Sequence, residues 1–232
     1  MTADRGSQTV IARGAGSNAL SFVIRFAARA SFLYVGARLY GAANYGVFTM
    51  ASAMVELAVP IASLGLKRMI FPWLEETTPD TAPRSATHVL LDALLLAAIA
   101  GIAVSMLLVL GAQALPDGLV SESLRLALAL IAPAVLGQIT GDVALAATRW
   151  THKMRYEVIA RGLVEPYVLT AVAFGAWYLG FEQTGMIIGY WAGSIALALF
   201  SVWSARHCLG PLGLPPAEFA APQPGVFKAS TV

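Results

Sequence analysis

Apolar residues run through this chain in blocks of twenty or more, separated by short polar interruptions. Residues 93–112 and 185–205 contain no charged side chain at all. A membrane-crossing helix needs roughly 20 mainly apolar residues, so each of these blocks meets the requirement unaided. Two further blocks contain a few ionisable positions: 124–148 holds Arg125 and Asp142, and 158–179 holds Arg161 and Glu165. The first two are weaker, because 15–37 contains Arg25 and Arg29 and 43–66 contains Glu56. The pattern predicts an all-α integral membrane protein with six spans, at about 15–37, 43–66, 89–112, 124–148, 158–179 and 185–205.

The connectors agree with that count. Residues 39–44 read as a tight turn between the first two spans. The stretch 67–87, with Pro72, Pro79 and Pro83 and much of the local charge, reads as an exposed loop. Residues 113–123, 150–157 and 180–184 supply the other turns. Residues 1–206 thus form one six-helix lobe, and the proline-rich 207–232 a flexible cytoplasmic tail.

Composition narrows the class. Hydrophobic residues make up 58% of the chain and charged residues 12%, against about 25% charged in soluble proteins. A soluble enzyme and a disordered chain are both excluded by that balance. Fifteen basic against 13 acidic residues give a net charge of +2, with no nucleic-acid-binding signature. The lone Cys208 excludes an internal disulfide and a cysteine metal cluster.

The placement of the basic residues says more than their number. With the N-terminus inside, Arg5, Arg13, Lys67, Arg68, Arg84, Arg149, Lys153, Arg155, Arg161, Arg206 and Lys228 fall on the inner side, and only Arg38 and Arg125 in outer turns. Basic residues near span ends favour the cytoplasm, so both termini are expected there. A polar N-terminus, with Arg25 and Arg29 breaking its first apolar run, argues against a cleaved signal peptide.

Charges inside the spans are the candidate chemistry, since an ionisable group at mid-bilayer costs about 2.5–3.5 kcal/mol on insertion scales. The first span carries a polar stripe through Asn18, Ser21, Arg25 and Arg29, and the second a stripe through Thr49, Ser52, Glu56, Pro60, Ser63 and Lys67. Counted from the turn between them, Arg25 and Glu56 lie at nearly equal depth. Two readings stand. Either Arg25 and Glu56 neutralise each other and fix packing, or the arginines line a water-accessible surface for a phosphate-bearing passenger, which their donor forks suit. Arg29, with no acid at its depth, leans toward the second.

Asp142 shares a face with Gln138 and is open to a part in ion or proton coupling. Arg161 and Glu165 are spaced as an i,i+4 pair, and Asp92 starts the third span beside His88. Gly185-xxx-Gly189-xxx-Gly193 is a small-residue ridge for close helix approach, within the lobe or against a second subunit. There is no phosphate loop, nucleophile elbow or metalloprotease helix. His88, His152 and His207 read as surface histidines, and neither catalysis nor a cofactor is expected.

Two segments carry a resemblance. Arg38-Leu-Tyr-Gly-Ala-Ala-Asn-Tyr-Gly-Val-Phe48, followed by Glu56 and Ser63-Leu-Gly-Leu-Lys-Arg68, resembles the N-terminal part of polysaccharide (O-antigen type) flippases. Met154-Arg-Tyr-Glu-Val-Ile-Ala-Arg161 through Glu165-Pro166 resembles the fourth-to-fifth helix region of the same family. That family shares a superfamily with multidrug and toxin extrusion transporters and lipid II flippases. The likeness covers residues 10–205. It implies flipping of a lipid-linked oligosaccharide across the bacterial inner membrane, with Arg25 and Arg29 as cavity residues and Glu56 and Asp142 as secondary candidates for the same cavity.

Such flippases have two six-helix lobes, and this sequence matches the first. The lobes are parallel repeats about an axis along the membrane normal. A homodimer or a separately encoded second lobe would therefore complete the unit. The alternatives are a cation-coupled exporter and a non-transporting scaffold subunit of a polysaccharide assembly complex.

Overall fold

The computed structural model describes residues 26–28, 30–75, 86–114, 116, 120–151, 153–181 and 184–209. Their secondary structure is helical. Helix α1 comprises residues 26–28 and 30–39, and a turn at Gly41, with φ at 81°, leads into α2 (Ala42–Glu75). Then come α3 (Ala86–Ala114), α4 (Glu122–Ile131), α5 (Ala134–Trp150), α6 (Arg155–Ile159), a π-helical turn (Ala160–Val164), α7 (Glu165–Tyr178) and α8 (Gly185–Leu209).

Four helices are long and apolar enough to cross a membrane: Ala42–Leu74, Ala86–Ala114, Arg155–Tyr178 and Gly185–Leu209. A fifth crossing follows if α4 and α5, bent by 43°, count as one. These correspond to the second through sixth expected spans. Most of the expected first span lies outside the described residues. Along α3, Leu95, Ile99, Met106, Leu107 and Leu110 are all more than half exposed. A continuous apolar surface of that kind suits lipid contact, not water.

One expectation is corrected. The loop expected over 67–87 is helical as far as Glu75, and α3 begins at Ala86. The apolar pattern continues past Lys67, and Ile70 and Leu74 are fully buried in the core. Pro72 sits three residues before the end of α2. It removes one backbone donor and crowds the Arg68 carbonyl, but only three residues of helix follow it.

The break between α4 and α5 has a local cause in Pro133, which supplies no N–H to the preceding turn. Unsatisfied backbone groups are costly away from water. Neighbouring helices provide partners at this break: the Ser105 hydroxyl donates to the Ala132 carbonyl at 2.7 Å, and the Trp191 indole to the Leu130 carbonyl at 2.9 Å. Trp191→Phe is expected to lower stability by about 0.6 kcal/mol, the typical worth of an interhelical hydrogen bond in a membrane protein, in a detergent unfolding titration. A loss within error would mean that another donor takes over.

Glycines set the closest helix contacts. A Cβ at Gly189 would lie 2.7 Å from the Leu169 carbonyl oxygen, and one at Gly193 3.0 Å from that of Glu165. The 185–189–193 ridge is therefore used inside the chain, against α7. A second small-residue pair, Gly137 and Gly141 on α5, faces Ser194 and Leu197 of α8, with a Gly137 Cβ 2.8 Å from the Ser194 carbonyl oxygen. Helix α8 is thus clasped on two sides.

The turns behave as their sequences suggest. Gly180, with φ at 89°, closes α7 in a Schellman pattern: Phe181 N–H donates to Ala176 O and Gly180 N–H to Trp177 O, both at 2.9 Å. At the other turn, the Tyr40 hydroxyl donates to the Ala173 carbonyl at 2.6 Å and ties the α1–α2 junction to α7. Burial raises the Tyr40 phenol above its ordinary range.

Candidate functional site

The polar residues of α2, α5, the π turn, α7 and α8 converge on one cluster. Helix α5 presents Gln138 and Asp142 one turn apart, both buried. Asp142 is held from two sides. Its Oδ1 accepts from Arg161 Nη2, and its Oδ2 is ion-paired with Lys67 Nζ. Arg161 Nη1 donates to Gln138 Oε1 at 2.7 Å and to Glu165 Oε2 at 3.1 Å. Gln138 Nε2 donates in turn to Glu165 Oε1 at 2.5 Å and to Ser194 Oγ at 3.1 Å. The amide of Gln138 therefore has both donors and its acceptor engaged.

Two cations and two carboxylates make the cluster neutral. Isolated charges would be expelled from such a site or neutralised, but a paired and fully hydrogen-bonded set is tolerated. The side chains of Asp142 and Glu165 are 10% and 17% exposed, those of Lys67 and Arg161 28% and 30%. The carboxylates are inside and the cations reach in from the rim.

Local backbone geometry brings Arg161 to this point. Pro166 follows Glu165, and a proline ring clashes with the carbonyl four residues back in an α-helix. The π turn relieves this, with the Glu165 N–H bonded to Ala160 O. Such π turns recur at functional sites. Gly193 lets α8 approach the Glu165 backbone, which places Ser194 within reach of Gln138.

Beside the cluster lies an open cleft of about 420 Å³, lined by Pro60, Ser63, Lys67, Arg68, Phe71 and Arg149. Lys67 belongs to both. Arg68 is exposed, and Arg149 pairs with Glu157 at 3.2 Å across the α5–α6 connection. Further along, Trp203 and His207 stack with ring centres 5.8 Å apart, and Arg155 lies 5.0 Å above the Tyr156 ring. His207 is exposed and His88 half-buried, while His152 lies outside the described residues.

The expected site residues are distributed unevenly. Arg25 and Arg29 lie outside the described residues. Glu56 is exposed on α2, one turn before the cleft residue Pro60, and among the described residues it makes no ion pair. Asp142 is at the centre of the cluster, and the Arg161–Glu165 pair is present at i,i+4 spacing. The sequence pattern gives the Gln138–Asp142 face and the Arg161–Glu165 pair separately, and does not join them to each other or to Lys67. The signal for Lys67 was its place as the last member of the α2 polar stripe. Among the described residues no group of histidines, cysteines and carboxylates is placed to hold a metal. Comparison with protein-family models, with curated proteins and with solved structures finds no match for this chain.

Proposed function

We propose that the chain is a six-helix transporter lobe that flips a lipid-linked oligosaccharide across the bacterial inner membrane, with both termini cytoplasmic. The observation that carries this reading is the neutral cluster of four ionised groups tied across α2, α5, the π turn and α7. Ionisable residues in apolar helices are costly, and substrate and ion pathways are among the uses that offset the cost. The two segments with flippase-like sequence supply three of those four charges: Lys67, Arg161 and Glu165.

In this reading Arg25, Arg29 and Glu56 line the face toward a second lobe, which is either another copy or a separately encoded chain. Both oxygens of Asp142 are already engaged. That occupancy favours the flippase over a cation-coupled exporter that works through this carboxylate.

The test uses a strain whose surface glycan depends on the gene. The Arg25→Ala/Arg29→Ala double variant is expected to cut surface glycan by about tenfold or more at normal protein level, the effect of about 1.4 kcal/mol in transition-state binding. Undiminished glycan would overturn the reading.

A further inference from the structure

Lys67 takes part in the charge cluster and in the cleft wall. Helix α2 has 34 residues, which at 1.5 Å per residue is about 51 Å. A hydrocarbon core is about 30 Å thick. A helix that enters it near Ala42 leaves it about twenty residues later, before Lys67. The cleft from Pro60 to Phe71 therefore straddles the level of the lipid phosphates. Its chemistry suits that level: Lys67, Arg68 and Arg149 supply cations, and Pro60 and Phe71 an apolar wall. Leu57 and Ile61, 71% and 73% exposed, extend the apolar surface beside Pro60.

Charge counting limits the occupant. Lys67, Arg68, Arg149 and Arg161 face Asp142, Glu157 and Glu165, which leaves one excess positive charge. A singly charged phosphodiester neutralises it, whereas a pyrophosphate overshoots.

We propose that the cleft binds the phosphodiester headgroup of an anionic lipid, and that Lys67 is shared between this headgroup and Asp142. The Lys67 ammonium has three donors on a flexible four-carbon stem, so it can turn toward a phosphate. Asp142 then remains held by Arg161 alone. Basic pockets between membrane helices are known chemistry for anionic headgroups. The consequence here is mechanical: occupancy loosens the ion pair that joins α2 to α5. This inference does not rest on glycan transport.

Binding is measured by native mass spectrometry of the purified full chain in detergent, with phosphatidylglycerol, phosphatidylcholine or inorganic phosphate added. Phosphatidylglycerol is expected to bind about tenfold more tightly than phosphatidylcholine, a difference of about 1.4 kcal/mol. Equal binding of the two lipids, or competition by inorganic phosphate at similar concentration, would overturn the lipid assignment. Arg68→Gln/Arg149→Gln, which leaves the cluster intact, is expected to abolish the preference. A retained preference would place the lipid elsewhere.

The sharing of Lys67 has its own test. Asp142→Asn is expected to strengthen phosphatidylglycerol binding in the wild-type background but not in Lys67→Gln. Equal gain in both backgrounds would reduce the effect to a general field and overturn the sharing. A measurement without variants covers poor folding of these proteins: hydrogen exchange of residues 67–75 should rise when phosphatidylglycerol binds. A fall would mean that the headgroup tightens α2 and would sink the idea.

Discussion

Asp142→Ala is expected to be the most damaging single substitution in the chain. It removes the carboxylate that Lys67 and Arg161 share, which leaves Lys67 without its partner in the cluster and Arg161 with Glu165 alone. Breaking a buried pair by deleting one partner costs about 3–5 kcal/mol. Little monodisperse protein should be recovered after extraction, and what is recovered should unfold at lower denaturing-detergent concentration. Asp142→Asn should be milder, because an amide oxygen still accepts from Arg161. Replacing the balanced pair as Lys67→Met with Asp142→Leu should restore much of the loss, since Arg161 and Glu165 remain neutral together. Wild-type stability of Asp142→Ala would show that the cluster does not hold the helices together.

Gly189→Leu should come close behind, for a different reason. Its Cβ would meet the Leu169 carbonyl oxygen at 2.7 Å and the Ala173 Cβ at 2.9 Å. The first is backbone and cannot rotate away, so α8 must move off α7. Overpacking of this kind costs about 1–3 kcal/mol and at times more. Displacement of α8 also withdraws Ser194 from Gln138, so packing and the polar cluster fail together. The control is Gly175→Leu on α7, where nothing lies within 4 Å of an added Cβ. That variant should unfold at the wild-type detergent concentration or slightly above it, because leucine favours helix by about 1 kcal/mol over glycine. If the two variants are equally destabilised, the clasp of α7 on α8 is not what the glycines provide.

Helix content and most boundaries were legible because membrane spans are written in run length, which survives without knowledge of neighbours. The Gly41 and Gly180 turns were equally plain. Contacts between helices were harder, since a helical period places residues on a face but does not say what the face meets. Depth supplies the missing coordinate. Lys67 and Asp142 each lie eight residues before the end of their helices, about 12 Å along parallel rods. Equal depth pairs Lys67 with Asp142 as it pairs Arg25 with Glu56, once α2 extends to Glu75. Pro72 and the nearby charges disguised that continuation. Gly137 and Gly141 make a ridge of two small residues among polar neighbours, a weaker pattern than the three-glycine ridge on α8. The π turn left no periodic trace: Arg161 and Glu165 still meet at i,i+4 across it.

That turn has a consequence for how the protein can change through descent. A π turn holds one residue more than the α-helical turn it replaces, so it rotates everything after it by about 100° relative to everything before. The cluster depends on Arg161 within the turn and Glu165 at its exit being aimed at α5 together. Loss of one residue between 160 and 164 would restore regular helix and swing Glu165, with all of α7, to a different compass bearing. Single substitutions along the outer face of α7 are therefore expected to be tolerated, whereas a one-residue deletion upstream of Pro166 is expected to dismantle the cluster.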